Sequence, residues 1–179
     1  FIELNMKIFL IGYRCTGKTT IGKMIARRLN FNFIDTDHLI EKHLGLTILE
    51  IIEKQGWGKF RQIEKQILLD TKNNINTIIS TGGGIIIDRD NQQFIKKNGV
   101  CIWLYADIQT IIARLNYDNK TLSLRPALTN KDLVEETNEI VKKRIPLYKT
   151  TSHIKIDTSF NTPEEIVNII DRRLKNVRQ

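Results

Sequence analysis

The apolar run Lys7-Ile-Phe-Leu-Ile11 leads straight into Gly12-Tyr-Arg-Cys-Thr-Gly17-Lys18-Thr19, and an amphipathic segment follows as far as Leu29. No other feature of the chain narrows its fold as much. Two glycines five positions apart, followed by lysine and a hydroxyl residue, form the pattern of a phosphate-binding P-loop. The glycines let consecutive backbone N–H groups turn toward one anion. The helix that begins in the loop adds the positive end of its dipole. In such a loop the lysine meets the outer phosphates of a nucleoside triphosphate, and the hydroxyl after it ligates Mg²⁺. Lys18 and Thr19 are the candidates for these two tasks. The motif needs a strand before it and a helix after it, and the flanking sequence supplies both.

The rest of the chain alternates short apolar runs with longer amphipathic ones. Strands are expected over 31–34, 77–80, 100–105 and 154–156. Thr47 and Glu50 have the form of a capping box, so a helix should start there. A separate helix is expected over 57–70. Asp107 is poised to cap the helix after the fourth strand, and Thr162-Pro163-Glu-Glu165 opens the last helix. Strands that are apolar throughout and separated by helices predict a parallel sheet covered on both faces, an α/β fold. The polar, aperiodic stretch over about 117–130 carries Arg125-Pro126 and reads either as a mobile lid or as an ordinary surface loop. One domain is expected over 6–176. Residues 1–5 read as an extension, because the first strand begins beside Met6.

Composition limits the function classes. The 179 residues fit one domain, and 41% hydrophobic residues are enough for a core. No apolar run approaches the ~18 residues of a membrane span, and no basic, then apolar, secretory leader is visible. Cys15 and Cys101 stand far apart and do not form a disulfide framework, which points to a reducing cytoplasm. The net charge of +8 is scattered, with one late cluster at Arg172, Arg173, Lys175 and Arg178. It does not interleave with aromatic residues, so no nucleic-acid partner is expected. No Asn-Lys-x-Asp base-reading motif of a switch GTPase is present.

Further motifs gather where ligands bind in open α/β sheets, beyond the carboxyl ends of strands. Asp35-Thr-Asp37 ends the second strand. One carboxylate can support the Mg²⁺ shell, and the other either accepts a substrate hydroxyl or caps a helix beginning at His38. Strand alternation would point both to one face. Arg61 and Glu64, three apart on a helix, can preorganise a guanidinium for an anionic group. Gly82-Gly83-Gly84 can expose backbone N–H groups and admit a substrate closely. Arg125, and Arg144 in Arg-Ile-Pro-Leu-Tyr148, suit a site that handles phosphoryl charge.

Taken in order, the P-loop, Asp-Thr-Asp, Phe-Arg-x-x-Glu, Gly-Gly-Gly, Arg-Pro and Arg-x-Pro-Leu-Tyr resemble the shikimate kinases from Met6 to the last helix. The resemblance implies a P-loop kinase fold, a three-layer α/β/α sandwich with a five-stranded parallel sheet and a mobile lid. It implies transfer of the γ-phosphoryl group of Mg·ATP to the 3-hydroxyl of shikimate, a step toward chorismate and the aromatic amino acids, by a cytoplasmic monomer. Carried over by position, Cys15, Thr16, Gly17, Lys18, Thr19 and Thr20 are expected to cradle the phosphates. Thr19 and Asp35 would hold Mg²⁺. Asp37, Arg61, Gly83 and Arg144 would bind shikimate, with Lys18, Asp37 and Arg125 acting in the transfer. Arg114 and Asn161 would flank the adenine, and Arg125 would also meet the ATP phosphates. A gluconate, nucleoside or nucleotide kinase is the alternative within the same class. Three departures stand out: Cys15 where a small residue is usual, Arg-Pro-Ala-Leu in the lid, and Ser152-His153 after the Tyr148 helix.

Overall fold

The structure, a computed structural model, describes residues 6–118, 127–129 and 131–177. In chain order they form β1 (Lys7–Ile11), α1 (Lys18–Leu29), β2 (Asn32–Asp35), α2 (Thr36–Leu44), α3 (Ile48–Asp70), β3 (Thr77–Ser80), α4 (Arg89–Asn98), β4 (Val100–Tyr105), α5 (Ile108–Tyr117), α6 (Leu133–Thr151), β5 (Ile154–Asp157) and α7 (Pro163–Val177). The five strands make one parallel sheet in the order β2-β3-β1-β4-β5. β1 is central, so the loop after it leaves the sheet between β3 and β4. The chain moves from β1 outward to one edge, then crosses to the other, and this reversal opens a crevice at the carboxyl ends.

Alternation along the strands builds the layers. Ile8, Leu10, Ile78, Ile102 and Leu104 face one side and pack with Ile21 and Ile25 of α1 and Ile166 and Ile170 of α7. Phe9, Ile11, Ile79, Cys101 and Trp103 face the other and pack with Leu68 of α3, Ile95 of α4 and Tyr148 of α6. The three inner strands are apolar on both faces, as expected. The edge strands are not: β2 and β5 keep exposed or half-buried positions, because each has a neighbour on one side alone. β2 also lies one residue later than expected.

Two local features position the site. The helix predicted from Thr47 and the helix predicted over 57–70 are both present, joined end to end in α3 with a break at Gly56 (φ 79°, ψ 165°). That backbone geometry is nearly exclusive to glycine. The half before the break packs on α2 through Ile40, Ile48 and Ile51, and the half after it carries Trp57, Phe60, Arg61 and Glu64. The reciprocal Thr47–Glu50 capping box starts the helix as expected. At its far end the buried Lys7 ammonium donates to the carbonyls of Thr71 and Lys72, at 2.6 and 2.7 Å, and so ties β1 to the negative end of α3.

Candidate active site

The loop between β1 and α1 winds through positive φ at Gly12, Cys15 and Gly17. It is braced internally: Thr16 Oγ1 donates to the Tyr13 carbonyl at 2.9 Å. The Lys18 ammonium, 9% exposed, donates to the carbonyls of Gly12 and Tyr13 at 2.8 and 2.7 Å. Lys18, Thr19, Thr20, Asp35, Ser80 and Thr81 line a polar cavity over the start of α1, together with Cys15 and Gly17. The cavity opens at the N-terminus of α1, the positive end of the helix. Thr19 Oγ1 donates to Asp35 Oδ2 at 2.7 Å, so the two expected metal ligands stand side by side.

The Asp-Thr-Asp segment differs from its strand reading. Asp35 ends β2 and is the N-cap of α2, its Oδ1 accepting from the amides of Asp37 and His38. Thr36 already belongs to the helix, so α2 does not begin at His38 and Asp37 does not cap it. Asp37 lies in the first helical turn, and strand alternation with Asp35 does not apply. Both carboxylates still line the loop cavity, because the helix turns Asp37 back over the strand end.

A second, more apolar cavity adjoins the first. Ile48, Trp57, Phe60, Arg61 and Glu64 of α3 form one wall. Tyr13 and Arg14 of the loop, Gly82 to Gly84, Leu128 and Arg144 of α6 form the others. Arg61 Nη1 donates to Glu64 Oε2 at 2.6 Å, and its guanidinium lies 5.3 and 5.1 Å from the ring centres of Trp57 and Phe60. A Cβ on Gly84 would stand 2.3 Å from Arg61 Nη2, so only glycine lets that guanidinium lie in place. Arg144 Nη1 and the Tyr148 hydroxyl both donate to the Gly83 carbonyl, at 3.2 and 2.6 Å. The glycine turn therefore offers a carbonyl that orients Arg144, in addition to the Gly82 amide, which donates to Thr36 Oγ1 at 3.2 Å. Burial pushes the Glu64 carboxyl up, and the neighbouring Asp37 adds to this, while Arg61 and Arg144 pull against it. Burial likewise pushes the Tyr13 and Tyr148 phenols up.

On the far side of the loop, Arg114 of α5 donates through Nη1 to the Cys15 carbonyl at 3.1 Å and through Nη2 to the Thr158 carbonyl at 2.6 Å. It lines an open recess with Cys15, Gly17, Thr20 and Tyr117. Asn161, after β5, donates to the Asp157 carbonyl at 3.1 Å. Arg125 and most of the expected lid lie outside the described residues; Tyr117, placed at its start, closes α5 instead. Among the described residues the sequence reading missed Arg14, Tyr13 and Trp57 as cavity walls, and Glu136 behind them. Glu136 follows an Asp132 N-cap in the first turn of α6, and a carboxylate there is a sequence signal of a helix start rather than of a site.

Comparison with known proteins identifies the family. The profile of the shikimate kinase family matches residues 14–175. Shikimate kinase 2 of Photorhabdus laumondii is 40% identical over 167 residues, covering 93% of this chain and 94% of the relative. A shikimate kinase from Acinetobacter baumannii, solved in complex with shikimate, superposes with a TM-score of 0.88 at 31% identity over 97% of this chain and 96% of that one. The shikimate kinase of Aquifex aeolicus gives a TM-score of 0.83 at 33% identity, over 97% and 98%. With the match running from Arg14 inside the phosphate loop through both arginine-bearing helices and the last strand, this chain belongs to the shikimate kinase family.

Proposed function

We propose that this chain transfers the terminal phosphoryl group of ATP to the 3-hydroxyl of shikimate, giving shikimate 3-phosphate and ADP. The observation that carries the reading is the contact between two unlike cavities. One is lined by the P-loop and its lysine, the other by the guanidiniums of Arg14, Arg61 and Arg144, and Asp37 borders both. The first suits a triphosphate. The second suits a compact, hydroxylated ring with a carboxylate, because Arg61 and Arg144 offer planar forks and Trp57 and Phe60 offer apolar surface.

In this reading the amides from Cys15 to Thr20 hold the phosphates, and Lys18 exchanges its two loop carbonyls for phosphate oxygens. Arg114 and Asn161 flank the base. Arg61 and Arg144 take the shikimate carboxylate beside Gly83. Asp37 orients the acceptor hydroxyl and takes its proton as the new bond to phosphorus forms. The paired hard oxygens of Thr19 and Asp35 fit Mg²⁺, which prefers few protein ligands and completes its shell with water and phosphate. When bound there the ion would neutralise phosphate charge. Among the described residues no helix is long and apolar enough to cross a membrane.

The test is ADP release by the purified chain against a panel of acceptors: shikimate, gluconate, nucleosides and water. Shikimate should give the highest kcat/KM by a wide margin. Greater use of another acceptor, or no release above the water rate with shikimate, would overturn the reading.

A further inference from the structure

We propose that Arg14 is a further catalytic residue, its guanidinium meeting the phosphoryl group as that group crosses from one cavity to the other. The inference rests on the ATP-to-shikimate reading above. Among the described residues two side chains line both cavities, Asp37 and Arg14. A phosphoryl group passing in line between ligands in neighbouring cavities passes the wall they share, so the groups in that wall meet it. Asp37 brings negative charge to the hydroxyl side. Arg14 brings the complementary positive charge on a planar fork that matches phosphoryl oxygens.

The guanidinium is also held in advance. Its side chain is 8% exposed, its Nη2 donates to Glu136 Oε1 at 3.1 Å, and it lies 5.3 Å from the ring centre of Tyr13. Its Nε and Nη1 make no hydrogen bond among the described residues. Glu136 is fixed in turn, with Oε2 accepting from the amides of Leu128 and Thr129, both at 2.7 Å. It sits in the first turn of α6, where a carboxylate faces the positive end of the helix. A buried ion pair adds little net stability over an apolar replacement, so packing does not require a charged pair here. A charge fixed before the reaction and aimed where charge moves is what electrostatic stabilisation of a transition state needs. Glu136 is the positioning residue, and Arg14 is the group it positions.

The deciding variant is R14M/E136Q, which removes both charges together and leaves a glutamine oxygen to accept from the Leu128 and Thr129 amides. It should melt close to the wild type and keep both KM values within about threefold, while kcat falls by about a hundredfold or more, the loss typical of removing one transition-state donor. A double variant that folds and retains kcat within about threefold of wild type overturns the inference, because the pair is then only a brace. If the double variant fails to fold, R14K decides. It keeps the pair with Glu136 but loses the fork, so kcat should fall about tenfold or more at unchanged KM, and wild-type kcat in R14K overturns the inference. Wild-type protein that releases no ADP with shikimate sinks the parent reading instead, and the same assay separates the two failures.

Discussion

The two cavities are built in opposite ways. The loop cavity centres on one continuous stretch, the loop after β1 and the first turn of α1, with the ends of β2 and β3 beside it. The arginine cavity is mostly side chain, gathered from α2, both halves of α3, the glycine turn and α6. A backbone cradle reads only phosphate, since every amide is alike. A side-chain cavity reads shape and charge together, and its parts must be held by long-range packing. The donor half is therefore generic and local, and the acceptor half specific and non-local.

If that division holds, variants in the two halves should fail differently. The largest loss is expected for Lys18→Ala, on the order of a thousandfold in kcat, with shikimate KM little changed and the fold intact in circular dichroism. Near-normal turnover would remove the phosphate role of the loop. Next, Asp37→Asn keeps the shape but removes the proposed base. Its kcat should drop by about a hundredfold or more, with ATP affinity near wild type by calorimetry. Asp35→Asn should instead raise the Mg²⁺ needed for half-maximal rate. Rescue of Asp37→Asn, rather than Asp35→Asn, by added Mg²⁺ would reverse the two roles.

Arg61→Ala and Arg144→Ala should strike the acceptor half alone. Loss of one charged partner costs at least about 2 kcal/mol, roughly thirtyfold in shikimate KM. Equal losses for ATP and shikimate would erase the boundary between the halves. Gly84→Ala sharpens the comparison further, since its methyl group displaces the Arg61 guanidinium without removing any charge. A rise of about tenfold in shikimate KM with ATP KM unchanged is expected, and wild-type kinetics would mean that Arg61 need not lie where it does.

The smallest effect concerns pH. Burial raises the Glu64 carboxyl, so the folded state holds its proton more tightly than the unfolded chain does. The stability associated with that proton is present below the ordinary carboxylate value and is lost as pH rises through the raised one. Urea titrations of the wild type and Glu64→Gln should therefore converge near the acid end and diverge as pH rises, with the wild type becoming relatively weaker. Parallel curves would show that Arg61 fully offsets the burial.

The same division explains what could be read in advance. The loop, its flanking strand and helix, and the inner strands depend on neighbours in sequence, so motif and periodicity located them to within a residue. Asp37 was misassigned to a strand because alternation was carried two residues too far. Asp35 followed by Thr-Asp-His ahead of an apolar helix face was the overlooked N-cap signal. The bond from Tyr148 to Gly83, the fit of Arg61 on Gly84 and the link from Glu136 to Arg14 join residues brought together only by the sheet order and the packing of α3 and α6. No periodicity encodes them.

The break in α3 makes an unusual forecast for a saturation library of this chain. A Cβ at Gly56 or at Gly58 would meet nothing within 4 Å, so by space alone both positions would accept any side chain. At Gly58 the backbone is helical, and alanine should be neutral or add up to about 1 kcal/mol of stability. At Gly56 the torsion angles exclude every L-residue at a cost of about 1–3 kcal/mol, and relief of that strain would swing the arginine-bearing half of the helix away from the cavity. Two glycines two positions apart, each with open space at its Cβ, should thus score as opposites: one freely replaced, the other as intolerant as a core position.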